Sequence, residues 1–246
     1  SMVNILLEEN SKLNVTQYYV STFDSSKGLM NHVNEYSIKE NASLKVDRYQ
    51  KIHNNYNICC DLVTQEKGSE LGFNCFSCSG LFIREDLNVK VVGENCLTDV
   101  NGVFTPSYKE YIDYHVLIDH VASNCQSHEN FKGILKGNAV GVFNGKVIVQ
   151  KDAQKIEAFQ KNNNVLLDEN SLLFSKPELE IYADDVKCSH GSTTGKLDEE
   201  ALFYLRSRGL SRQKAVQLLI LGFVNEVVEK VSQTNFKNFI LEQLNK

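Results

Sequence analysis

Short apolar runs broken by polar corners dominate residues 1–196. Val3–Val15 (VNILLEENSKLNV) shows the device: apolar residues, a Glu-Asn pair, then apolar residues again two or three positions on. It returns in Tyr36–Val46, Val89–Val100 and Asn164–Phe174. Asn tolerates the left-handed backbone that a tight corner demands. The spacing between these segments is irregular, so they form no fixed-period repeat. Many short strands with few helix signals predict a mainly β protein, built as a sandwich, a barrel or a solenoid. Asn corners and runs such as Gly145–Val149 (GKVIV) favour stacked coils, although periodicity alone leaves sandwich and solenoid level. Val186–His190 reads as a strand. Cys188 and His190 stand two residues apart there and project to the same side.

After Lys196 the period changes. Asp198 fits a helix N-cap, with Glu199 and Glu200 favourable to the dipole of the first turn. Ala201, Leu202 and Leu205 form a stripe, and Gly209 is the expected stop. Ser211 fits a second cap, followed by Ala215, Val216, Leu219, Ile220, Phe223, Val227 and Val231 at steps of three and four. Leu218, Leu221 and Val224 widen that stripe beyond what a lone surface helix needs. A third amphipathic segment carries Phe236, Phe239, Ile240 and Leu244. The expected division is a β core over 1–196 and a helical region over 197–246, whose plainest role is a cap over the solenoid end.

Composition narrows the function classes. Of 246 residues, 42% are hydrophobic and 23% charged, as in a soluble globular chain. The net charge of −5 makes nucleic acid or an anionic membrane a poor partner. No apolar run is long enough for a membrane span, and no signal peptide is visible. Seven cysteines, an odd count, argue against a secreted disulfide framework and for a reducing compartment.

Several candidate sites have plain structural readings. Cys75 and Cys78 have the spacing of half a zinc knuckle, but in a strand they point to opposite faces, and no second pair complements them. A Cys-based metal-binding protein is one alternative function. Cys59 and Cys60 read as packing. His120 and Cys125 fit a shared corner, with His115 and His128 flanking. Asp184-Asp185 and Glu199-Glu200 are acidic pairs of the kind a β-helix carbohydrate-active enzyme would use; corner and helix-dipole roles fit them better. Cys188 and His190 suit a soft metal or a nascent cluster, yet two ligands fall short of a stable site. No P-loop, nucleophile elbow or HExxH motif is present.

The run Lys176–Gly209 (KPELEIYADDVKCSHGSTTGKLDEEALFYLRSRG) resembles the SufD branch of the SufB/SufD family of iron–sulfur cluster assembly proteins. DDVKCSHG resembles that branch rather than SufB. The similarity extends through Gly141–Leu167 and, more loosely, Asp113–Leu135. It implies a right-handed parallel β-helix with a small C-terminal α-helical region, acting as a non-enzymatic scaffold. It implies pairing with SufB through β-helix edges, with a transient iron–sulfur cluster at that interface. His190, and more weakly Cys188, would serve that cluster, and this chain alone would hold no stable metal. The helical region would dock the SufC ATPase, with Leu202, Leu205, Leu219, Phe223 and Val227 as the expected contacts. A homodimer is expected in isolation. The compartment would be the cytoplasm, or a plastid-type organelle if a targeting segment has been removed. The family usually carries a helical segment ahead of this region, whereas this chain opens on strand-like sequence.

Overall fold

The computed structural model describes residues 1–21 and 27–245. In chain order it contains β1 (Met2–Leu7), β2 (Lys12–Val20), β3 (Leu29–Ile38), β4 (Ser43–Lys51), β5 (Tyr56–Gln65), β6 (Glu70–Ser79), β7 (Phe82–Val91) and β8 (Leu97–Phe104). There follow a two-residue β9 (Ser107–Tyr108), β10 (Tyr111–His120), β11 (Gln126–Gly137), β12 (Val140–Val149), β13 (Ile156–Leu166), β14 (Leu172–Ile181) and β15 (Val186–Gly195). Helices α1 (Glu199–Ser207), α2 (Arg212–Val228) and α3 (Thr234–Leu244) come after the strands.

The strands make two parallel sheets. One runs β1-β3-β5-β7-β10-β12-β14, the other β2-β4-β6-β8-β11-β13-β15, with β9 pairing separately against β11. Successive strands alternate between sheets, and each bonds to the strand one coil away. That is a parallel β-solenoid, and it excludes the sandwich, whose sheets are antiparallel. Three of the four Glu-Asn corners behave as expected: Asn10, Asn41 and Asn95 adopt φ of 60°, 57° and 60°, and Asn124, at a Ser-Asn corner, adopts 59°. Asn170 does not; its segment turns without a left-handed residue. His53, Tyr108 and Lys155 take that conformation at corners the Glu-Asn pattern does not mark.

Side chains alternate between the interior and the outer face, so register stacks them in columns. The interior is not uniformly apolar. Near the first coils the Arg48 guanidinium is wholly buried and grips Asp61 with both terminal nitrogens, at 2.6 and 2.7 Å. It also bonds Glu85 and, through Nε, the Gln17 amide oxygen at 2.9 Å. Tyr19 and Phe73 lie against it. Farther along, Tyr114, Phe131 and Phe143 fill the interior, with centroids 5.3 and 4.8 Å apart. Gly102 leaves the space for this packing: a Cβ there would come within 2.3 Å of the Phe131 ring.

The helices lie along the outer face of the second sheet rather than over the solenoid end. Val224, Val227, Val228, Val231, Phe236 and Ile240 pack on Tyr49, Phe76, Val103 and Ile134. Lys132 Nζ, on β11, donates to the Phe223 carbonyl at 2.8 Å. The caps are those expected. Asp198 accepts from the amides of Glu200 and Ala201, Ser211 accepts from that of Lys214, and Gly209 is left-handed at φ 92°. Among the described residues no helix is long and apolar enough to cross a membrane.

Removing Arg48 alone would strand two buried carboxyl groups. Arg48→Met is expected to cost about 3–5 kcal/mol in urea denaturation. The triple variant Arg48→Met, Asp61→Leu, Glu85→Leu should recover part of that loss, because no buried charge is then left unpaired, while Gln17, Asn34 and Gln50 each lose a hydrogen-bond partner.

Candidate functional site at the last coil

β14 and β15 are the last strands of their sheets, and among the described residues neither has a partner on its outer side. A parallel edge of this kind offers a row of unpaired backbone groups. Leu172, Phe174 and Tyr182 add exposed apolar surface beside it.

Cys188 and His190 both lie on β15, in register with Ala158 and Gln160 of β13. Cys188 is half-buried and packs against the solenoid core; burial raises its thiol pKa, which favours the neutral form. His190 is exposed on the same inward-facing side. The strand therefore brings the two residues together as the spacing predicts, with the imidazole the more accessible. Around them the interior becomes polar. Ser175 of β14 donates to Asn162 Oδ1 at 2.8 Å and meets Ser192 Oγ at 2.8 Å. Asn164 donates to the Asn162 side chain at 2.7 Å and to the Thr193 carbonyl at 3.3 Å. One coil further in, Gln160 donates to the buried Glu129 carboxyl at 2.9 Å. Burial pushes Glu129 up to about 8, against the opposing effect of Gln160. Sequence reading missed Glu129 and Gln160. Their signal, one polar residue per coil at the same inward position, appears only once the register is known.

The other candidates separate. Cys75 lies in the solenoid interior, while Cys78 lies beneath the helices on the other face of the sheet. Opposite faces keep the two thiols apart, and burial pushes each up to about 12. Cys59 and Cys60 also face opposite ways, buried and half-buried. Cys59, Asp61 and Glu85 do bring ligand atoms within 4.8 Å of one another, but the Arg48 guanidinium fills the space between them. His120 is buried and shares a hydrogen bond with Ser127 Oγ at 2.9 Å; burial lowers it to about 4. Cys125 instead meets Cys96, whose amide donates to its Sγ at 3.4 Å. His115 pairs with Asp113, two residues back on the same strand, at 2.9 Å. Asp184 and Asp185 lie at an exposed corner, and Glu199 and Glu200 in the first turn of α1.

Of the expected helix contacts, Val227 is fully buried against the sheet and Leu202 is 4% exposed, so both anchor the helical region within the chain. Leu205, Leu219 and Phe223 are half-buried. The exposed apolar residues of this surface are Phe203, Tyr204 and Leu218.

A final coil with two open strand edges and a helical flank make this a parallel β-solenoid protein. The chain belongs to the SufB/SufD family: residues 1–223 match the family model described as SUF system FeS cluster assembly, SufBD core domain. Among relatives, Escherichia coli (strain K12) iron-sulfur cluster assembly protein SufD is 35% identical over 184 residues, 75% of this chain and 43% of that protein. Arabidopsis thaliana Protein ABCI7, chloroplastic, is 32% identical over 232 residues, 93% of this chain and 48% of that protein. Plasmodium falciparum (isolate 3D7) iron-sulfur cluster assembly protein SufD is 23% identical over 246 residues, 98% of this chain and 16% of that protein. The chain thus spans less than half the length of each of these relatives.

Glu129 gives the site a pH signature. A carboxyl raised from 4.5 to about 8 on folding carries no penalty below pH 4.5, where both states hold the proton. Stability is lost as pH rises from 4.5 to 8, because the unfolded chain ionises first. Glu129→Gln should therefore match the wild type within about 1 kcal/mol at pH 5 and exceed it by a few kcal/mol at pH 9 in urea titrations. Equal stabilities at pH 9 would refute the raised value.

Proposed function

We propose that this chain is a non-enzymatic scaffold subunit of the Suf iron–sulfur cluster assembly system, of the SufD type. It pairs with SufB through the open edges of β14 and β15 and binds the SufC ATPase through its helical flank. ATP binding and hydrolysis belong to SufC. The cluster is cargo, held transiently at the seam with SufB, and His190 meets it there with Cys188 as a weaker contributor. In isolation the same edges accept a second copy of this chain. The cytoplasm, or a plastid-type organelle, is the compartment.

The observation that carries this reading is the position of His190 within a chain of this family: an exposed imidazole on the last strand, beside an unpaired parallel edge. A parallel edge bonds an added strand through its backbone, and its exposed apolar residues add contact area. Cys188 and His190 supply too few ligands for a lasting metal site, which fits passage of a cluster rather than storage. Phe203, Tyr204 and Leu218 give the flank apolar groups that the sheet does not bury.

His190→Ala is expected to lower the iron and acid-labile sulfide of the complex co-expressed with SufB and SufC at least several-fold, with complex formation unchanged. Undiminished cluster content would remove His190 from the function. Separately, Phe203→Asp combined with Leu218→Asp should weaken co-purification with SufC while leaving thermal unfolding of the β core unaltered. SufC retention at the wild-type level would show that it docks elsewhere.

A further inference from the structure

The inward column that ends at His190 changes character along the solenoid. Its members on successive strands of the second sheet are Val46, Phe73, Val100, Glu129, Gln160 and His190. The first three are apolar, as a solenoid core requires, and the last three are polar. Glu129 is 2% and Gln160 1% exposed. Gln160 Nε2 donates back to Glu129 Oε2 at 2.9 Å, while Gln160 Oε1 is enclosed and meets no donor. A planar carboxamide holds its nitrogen and oxygen apart on one trigonal carbon, so the two atoms meet different partners. With Nε2 bonded to the preceding coil, Oε1 is left for a donor from elsewhere, and on the following coil the residue in register is His190.

Leaving a buried acceptor unpaired is costly. The backbone nevertheless keeps room for this arrangement. A Cβ on Gly145, across the interior, would fall 2.2 Å from Gln160 Nε2 and 2.9 Å from Glu129 Oε2. The His190 ring makes no hydrogen bond among the described residues. Paired strands lie about 4.8 Å apart, so Gln160 and His190 are next neighbours in the column.

We infer that Gln160, anchored by Glu129, is the positioning residue for the His190 imidazole. Gln160 Oε1 accepts one ring N–H, which fixes the tautomer and aims the other nitrogen's lone pair out of the rim. An iron-binding imidazole is commonly set in this way: a carbonyl or carboxylate behind it holds the ring and raises its basicity. The ligand facing the free nitrogen is ferrous iron or an iron atom of a forming cluster. Glu129 never touches the ring; it holds the amide so that the oxygen faces forward. This inference rests on the reading of His190 given above.

The test uses the complex co-expressed with SufB and SufC and purified without oxygen. Gln160→Met keeps side-chain length and removes both amide groups. Cluster content, read as iron and acid-labile sulfide, should fall about tenfold, the usual scale for losing an outer partner of a metal-binding histidine. Glu129→Met should fall similarly, whereas Glu129→Gln, which keeps an acceptor for Gln160, should stay near wild type. In the wild-type complex with ¹⁵N-labelled histidine, the His190 ring should show a single tautomer, lost in Gln160→Met. If His190→Ala abolishes the cluster while Gln160→Met leaves content and ring signals unchanged, the inference falls and the role of His190 stands. Undiminished cluster content in His190→Ala removes the reading on which both depend. A Glu129→Gln variant as poor as Glu129→Met also overturns the inference. Should the methionine variants fail to fold, the wild-type ring decides: signals averaged between both tautomers overturn the proposal.

Discussion

In-register parallel stacking is the constraint on which this molecule depends. A β-strand satisfies its backbone polar groups only through neighbours, and here the neighbour is always the strand one coil away. The same requirement has two consequences. It aligns side chains in columns that run the length of the solenoid, and it leaves the last strand of each sheet with an open side. The columns build the interior, and the open side supplies the surface at which this family member is proposed to work.

The interior is divided along its axis. The early coils hold the Arg48–Asp61–Glu85 cluster, where charge opposes charge with almost no water nearby. A stretch of stacked Tyr114, Phe131 and Phe143 rings follows. The last coils carry Glu129, Gln160, Asn162 and Asn164 toward the rim. A polar final coil is compatible with an end that lacks a helical lid: its groups bond one another, as Ser175 does with Asn162 and Ser192. The change from apolar to polar also prepares an environment in which an imidazole at the rim can be held from behind.

The helices contribute differently. Their most buried stripe, Val224, Val227 and Val228, is spent with Val231 of the following turn on the outer face of the second sheet, over Tyr49, Phe76 and Val103. Such burial stabilises by roughly 1.5–3 kcal/mol for each fully enclosed side chain. It ties the flank to the middle of the solenoid and leaves the final coil uncovered. Phe203 and Leu218 stay exposed on the flank.

The chain's own residues determined much of this by local chemistry. Glu-Asn corners marked Asn10, Asn41 and Asn95 because few residues other than glycine tolerate the left-handed backbone as well. Asp198, Ser211 and Gly209 marked helix ends because orphan amides and carbonyls need particular partners. The two-residue spacing of Cys188 and His190 assigned them a common face, since side-chain direction in a strand alternates. Only the tertiary structure decided parallel over antiparallel pairing, the flank rather than the end as the seat of the helices, and the burial of Leu202 and Val227. Those outcomes depend on partners distant along the chain. Arg48 with Glu85, and Glu129 with Gln160, become neighbours only after the coils stack, so no local pattern announces them.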